Sequence, residues 1–137
     1  MALAIIVTLE KDLPESAEYA KAKTGKALAR ELAKLDFAAR CKGVQQPSSL
    51  LSESQAALIE QLKADGFDPA KMRIPPELFY PAAEGLKVVR ALQGYVSEKL
   101  NDFKQPNPIL RDLNAAEILL AAADAAGVKF HFTKAQL

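Results

Sequence analysis

The stretch Asn114-Ala-Ala-Glu-Ile-Leu-Leu-Ala-Ala-Ala-Asp-Ala-Ala-Gly127, running straight into Val128-Lys-Phe-His-Phe-Thr133, constrains the fold more than any other part of this chain. Asn114 followed three residues later by Glu117 carries a helix-start signature, because the Asn oxygen accepts from early unpaired amides while Glu117 reaches back toward the cap. Gly127 supplies a left-handed stop. At about 100° per residue, Ile118, Ala122, Ala115, Ala126, Leu119, Ala123, Ala116 and Leu120 cover well over half the circumference. Only Asn114, Glu117 and Asp124 form a polar edge. Such a helix is expected to be buried on most sides, with the other elements packed around it. Its alanines favour the helix and let neighbouring backbones approach closely.

In the strand that follows, Phe130 and Phe132 share one face, and Lys129, His131 and Thr133 share the other. That alternation predicts one face on the core and one near water. Residues 2–9 form a second short run rich in β-branched side chains, read as a buried strand. The two terminal strands are expected to pair, since each alone leaves backbone groups unsatisfied. Because a two-stranded sheet is marginal, either helices cover one face or a second subunit extends an edge.

Between the strands the pattern is helical. Asp12-Leu-Pro-Glu15 opens a helix expected to run, bent at Gly25, to Arg40. Leu28, Leu32, Leu35 and Ala39 line its apolar side, with Lys23, Lys26, Arg30 and Lys34 opposite. Gly43 closes it, and Val44 to Leu51 reads as a loop or short edge strand around Pro47. Ser52 and Gln55 form a capping box for a helix expected to bury Leu58, Ile59 and Leu62 and to stop at Gly66. Asp68-Pro69 starts one further turn, and Ile74-Pro-Pro76 excludes helix. Pro81 opens the longest regular pattern, with Leu86, Val89, Leu92, Val96, Leu100 and Phe103 in one stripe. Gln105-Pro-Asn-Pro108 reads as a break before the Ala/Leu-rich helix. The expected class is α-rich α+β, with about four helices packed around that buried helix and a small sheet of the N-terminal and C-terminal strands.

The chain's 137 residues, half of them hydrophobic, fit a single compact domain spanning 1–137. With 18 basic and 17 acidic residues, no global field draws in nucleic acid or an anionic membrane, so any electrostatic partner must find a local patch. A lone cysteine, Cys41, excludes an internal disulfide and suits a reducing cytoplasm. The apolar N-terminal run lacks a basic leader, and no segment has the roughly 20 apolar residues that span a bilayer, so a soluble protein with no membrane partner is expected.

Residue types that carry chemistry do not cluster. Lys23-Thr-Gly-Lys-Ala27 lacks the first glycine of a phosphate loop and the hydroxyl residue after the lysine. His131 is the only histidine, and no spaced cluster of other ligands accompanies it, so neither a metal nor a cofactor is expected. If the chain is an enzyme, His131, Asp112 and Glu84 are the candidate catalytic residues, in a cleft that would also need Tyr80 and Arg111. The alternative for His131 is a strand residue on the partly wet face. Cys41, at the C-terminal end of a helix, is read as a packed or surface thiol.

The first long helix carries the most suggestive surface. Residues 16–43 hold seven basic and three acidic residues, and Phe37 projects among Lys23, Lys26, Arg30 and Lys34. Phe37 packs under the Val44–Leu51 loop, anchors a protein partner or a homodimer with the basic residues as rim, or contacts nucleic acid. Nucleic acid is the weakest of these, given the near-zero net charge. The favoured reading is a non-enzymatic interaction module, an adaptor, inhibitor or immunity-like binder working through this basic, aromatic face. The alternative is a small enzyme or ligand binder with a polar site near His131 and the Pro106–Asp112 loop.

Overall fold

The computed structural model describes residues 3–52, 55–74 and 77–136. Strand β1 (Leu3–Leu9) opens the chain and pairs antiparallel with β2 (Phe130–Gln136), in a register running from Leu3↔Gln136 to Leu9↔Phe130. Between them, among the described residues, lie α1 (Pro14–Ala22), α2 (Lys26–Arg30), α3 (Leu32–Cys41), α4 (Gln55–Ala64), α5 (Ala82–Glu98) and α6 (Pro106–Ala126). Short 3-10 turns occupy Pro47–Leu50, Pro69–Lys71 and Leu100–Asp102. The fold is thus an α-rich α+β arrangement whose terminal strands join each other, as the sequence indicates.

Both edges of this small sheet find partners within the chain. Beyond β2, Tyr80 and Phe130 exchange backbone bonds of 2.7 and 2.9 Å, and the Ser52 amide donates to the Phe132 carbonyl at 2.9 Å. Beyond β1, the Ile5 amide donates to the Gly25 carbonyl at 3.0 Å, and the Val7 amide donates to the Tyr19 hydroxyl at 2.9 Å. The chain's own segments thus occupy part of both edges. These segments satisfy several of the edge groups that a two-stranded ribbon would otherwise expose.

The same contact explains why the helix expected from Asp12 to Arg40 is broken rather than bent. Lys23 takes a left-handed conformation (φ 49°) and Gly25 sits at φ 114°, where an L side chain is strained. A methyl group on Gly25 would also collide with the Ile5 carbonyl. Breaking the helix lets the backbone of residue 25 lie directly on β1. A second discontinuity at Glu31 (φ −107°) separates α2 from α3.

The Ala/Leu-rich helix begins nine residues earlier than its sequence suggests, with Gln105 and not Asn114 at its cap position. Pro106 lies in the first turn of α6, where its missing amide costs nothing, so the Pro106–Pro108 segment starts the helix instead of breaking the chain. Asn114 is consequently an exposed mid-helix residue and caps nothing. Gly127 does supply the stop, at φ 70°. Burial is also narrower than expected. Leu113, Ala116, Leu119, Leu120 and Ala123 face the core, while Ile118 and Ala126 face water and Ala115 and Ala122 are half-buried. The buried stripe packs on Leu86, Val89, Leu92 and Val96 of α5 and on Phe130 and Phe132 of β2. Gly85 brings α5 close to the sheet, because a methyl group there would lie 2.5 Å from the Phe130 ring.

Two further expectations are corrected. Leu58, Ile59 and Leu62 of α4 are only half-buried, since this short helix packs chiefly on the neighbouring Pro69–Lys71 turn. Leu100 falls beyond the end of α5 and is exposed, whereas Phe103 returns to the core. Residues 53–54, between the capping pair Ser52 and Gln55, and residues 75–76 lie outside the described residues, and the Ser52 hydroxyl accepts from the Leu78 amide at 2.9 Å.

Candidate functional site

The break at Gly25 turns α2 so that it lies against the first turns of α6. A buried carboxylate fixes that contact, with Asp112 Oδ2 accepting from the Ala27 amide at 3.0 Å and so capping α2 from another helix. Neighbouring Arg111 points outward with a 73% exposed side chain, and its Nε is 3.9 Å from Asp112 Oδ1. Lys26 and Arg30, four residues apart on α2, share a face. Together these cations surround an open groove of about 460 Å³ floored by Leu3, Ala27, Ala29 and Pro108. The groove's lining includes no carboxylate, and among the described residues no ion pair engages Lys26 or Arg30.

Beneath α2 lies a small buried polar cluster. Tyr19 accepts from Val7, and burial pushes its phenol above the ordinary tyrosine range. The Val7 amide and the Thr24 hydroxyl oppose that shift, while the negative charge of Asp112 adds to it. The Thr24 hydroxyl and Asp112 Oδ1 are both buried without a hydrogen-bond partner in good geometry.

The sequence-predicted catalytic residues are not joined by any hydrogen bond or ion pair among the described residues. Asp112 is engaged with α2, and Glu84 is a half-buried residue in the first turn of α5. His131 is not near water, as the strand alternation suggests, but 1% exposed. The reason is the segment before α5, which covers the supposed wet face: Glu77 Oε2 lies 2.7 Å from His131 Nε2, and the Phe79 ring centroid is 4.8 Å from the imidazole. On its other side His131 Nδ1 is 3.1 Å from both the Phe132 carbonyl and the Thr133 hydroxyl, and that hydroxyl itself lies 2.7 Å from the Thr8 hydroxyl. A hydroxyl, an imidazole and a carboxylate therefore stand in hydrogen-bonding order. Only the shared strand face of His131 and Thr133 was legible from the two-residue period; Thr8 and Glu77 carried no signal.

The predicted basic, aromatic face divides in the same way. Lys26 and Arg30 join the groove, whereas exposed Lys23 stands at the turn ending α1. Lys34 is engaged elsewhere, donating to the Asp102 carbonyl at 3.0 Å and pairing with Glu31 at 3.6 Å. Phe37 does not enter the space under residues 44–51, where Pro47 and Leu50 are buried instead and Asp36 holds the turn by accepting from the Ser48 amide at 3.1 Å. Phe37 is 52% exposed, with the Arg40 guanidinium 5.8 Å from its ring centroid. Arg111 and Pro108, placed by sequence near the alternative site, prove to complete the groove.

Among the described residues no group of three His, Cys, Asp or Glu side chains is arranged to hold a metal ion, and no helix is long and apolar enough to cross a membrane. Compared with protein-family models, with curated proteins and with solved structures, the chain finds no match.

Proposed function

We propose that this chain is a non-enzymatic interaction module that holds an acidic segment of a protein partner in the groove between α2 and α6. The convergence of Lys26, Arg30 and Arg111 on an apolar floor carries this reading. An exposed ion pair alone contributes only about 0–1 kcal/mol. Three cations fixed on two helices beside a low-dielectric floor act together, steering an anionic partner and aligning its carboxylates. The two arginines offer forked donors that match carboxylates, and the floor receives the partner's aliphatic side chains. A volume of about 460 Å³ suits a segment of a few residues. Nucleic acid is disfavoured by a net charge of +1 and by a groove that gathers only three cations. The cytoplasm suits the single, exposed thiol of Cys41.

Fluorescence anisotropy with labelled peptides combining Asp or Glu with Leu tests the reading. Saturable binding that weakens with added salt is expected, and Lys26→Glu with Arg111→Glu should abolish it while the circular dichroism spectrum is unchanged. Binding that survives the double reversal, or acidic peptides that never bind, would overturn it.

A second reading rests on the Thr133–His131–Glu77 order, which matches a nucleophile, a base and a carboxylate orienting that base. It is weaker because the Thr133 hydroxyl is already bonded to Thr8 and the imidazole lies beneath Phe79. Turnover of an activated ester by the wild type, lost in Thr133→Ala, would favour it.

A further inference from the structure

We propose that a second copy of this chain docks head to tail, Phe37 and Arg40 of one copy entering the groove between α1 and α6 of the other. The residues involved are not those of the α2–α6 groove, so this contact does not depend on the acidic-partner reading.

Helix α1 has no fully buried residue although it packs on α6. Between the two helices runs a groove of about 280 Å³, floored by Ala115, Ile118, Leu119 and Tyr19 and rimmed by Glu15 and Glu18. Ile118 is 57% exposed there, an aliphatic side chain left to water on the longest helix. Helix α3, which packs on α5 and on the Pro47–Leu50 turn, presents the complement. Phe37 projects from it half exposed, with the Arg40 guanidinium over the ring. One surface is an apolar groove with two carboxylates, and the other is an apolar knob with one cation. Docking buries Phe37 against Ile118 and sets Arg40 beside Glu15 and Glu18, so both apolar area and charge are matched. Because the two halves are different surfaces of one chain, the contact is heterologous. It closes into a pair only if each copy fills the other's groove, and otherwise extends.

Sedimentation velocity over a concentration series tests this with two variants, Phe37→Asp and Ile118→Asp. Both positions are exposed, so both variants should keep the wild-type circular dichroism spectrum. The wild-type mass should rise with concentration, and the apparent dissociation constant should rise at least tenfold in each variant alone. An equimolar mixture should recover a pair and nothing larger, since one variant retains the knob and the other the groove. Arg40→Glu and Glu18→Lys supply a charge-reversal set, each weakening association alone and the mixture restoring it, because the two reversed charges face each other. A wild type that is monomeric throughout overturns the proposal and leaves the groove to a different protein. A self-associating wild type whose mixed variants stay monomeric also overturns it, in favour of a contact between identical patches. Lys26→Glu with Arg111→Glu should leave the mass unchanged, which separates this outcome from failure of the acidic-partner reading.

Discussion

Partly buried Tyr19 and buried Thr24 and Asp112 form one of two polar clusters in the fold, and their partners decide what each contributes. Asp112 satisfies one amide of α2, so its carboxylate is structural even though it lies beside the cations of the groove. Thr24 is different, because its buried hydroxyl has no partner in good geometry. Thr24→Val is therefore expected to stabilise the fold, by up to about 1 kcal/mol, since it removes an unsatisfied group and keeps the shape. A lowered urea midpoint would sink that account. For Tyr19 the folded pKa is raised, chiefly by burial. Its contribution to stability is fully present below the ordinary value of about 10, and is lost as pH rises from there through the higher folded value. Wild-type stability should fall more steeply than that of Tyr19→Phe between about pH 9 and pH 11, and equal slopes would contradict the burial argument. None of these roles was legible in sequence. Asp112 meets an amide 85 positions away and His131 meets a carboxylate 54 positions away, distances over which periodicity carries no information.

At the scale of elements, the sequence read well where one face of a helix decides its place. The stripe of Leu86, Val89, Leu92 and Val96 is buried on α5 as its spacing requires. It read poorly where proline has two meanings. Pro106 and Pro108 can end a preceding segment or open a helix, and only the docking of Ile109, Asp112 and Leu113 into the core selects the second. The break at Gly25 was visible only as a bend, because the reason for it is β1, not the helix itself. Two glycines on α5 separate packing from propensity. Gly85→Ala drives a methyl group toward Phe130 and Leu120 and should cost about 1 to 3 kcal/mol. Gly94 has open space around it, so Gly94→Ala should stabilise the helix by up to about 1 kcal/mol. Thermal or urea denaturation checks both, and a stabilising Gly85→Ala would show the spacing at Phe130 to be slack. On α6, Leu120→Ala should cost about 2 to 5 kcal/mol.

For the molecule as a whole, the decisive contact joins the two ends of the chain. The pairing was inferable because an isolated apolar strand at each terminus leaves backbone groups without partners. What sequence could not show is that β2 is flanked on both sides, by β1 and by Tyr80 and Ser52, so that three distant segments must meet on one strand. Closing so long a loop carries an entropy cost before any strand pair rewards it, which slows folding more than it lowers final stability. The geometry offers a direct test. Leu3 and Gln136 are partners in the sheet, so a short glycine-rich linker can join residue 136 to residue 3 as a hairpin. New ends can be opened between Gly66 and Phe67, both exposed and outside the buried core. This permuted chain converts the most distant contact into a local one while leaving every core residue in place. It should fold several-fold faster than the parent in stopped-flow refolding, with a urea midpoint close to the parent's. An unchanged refolding rate would mean that terminal strand pairing forms after the rate-limiting step, with α5 and α6 condensing first.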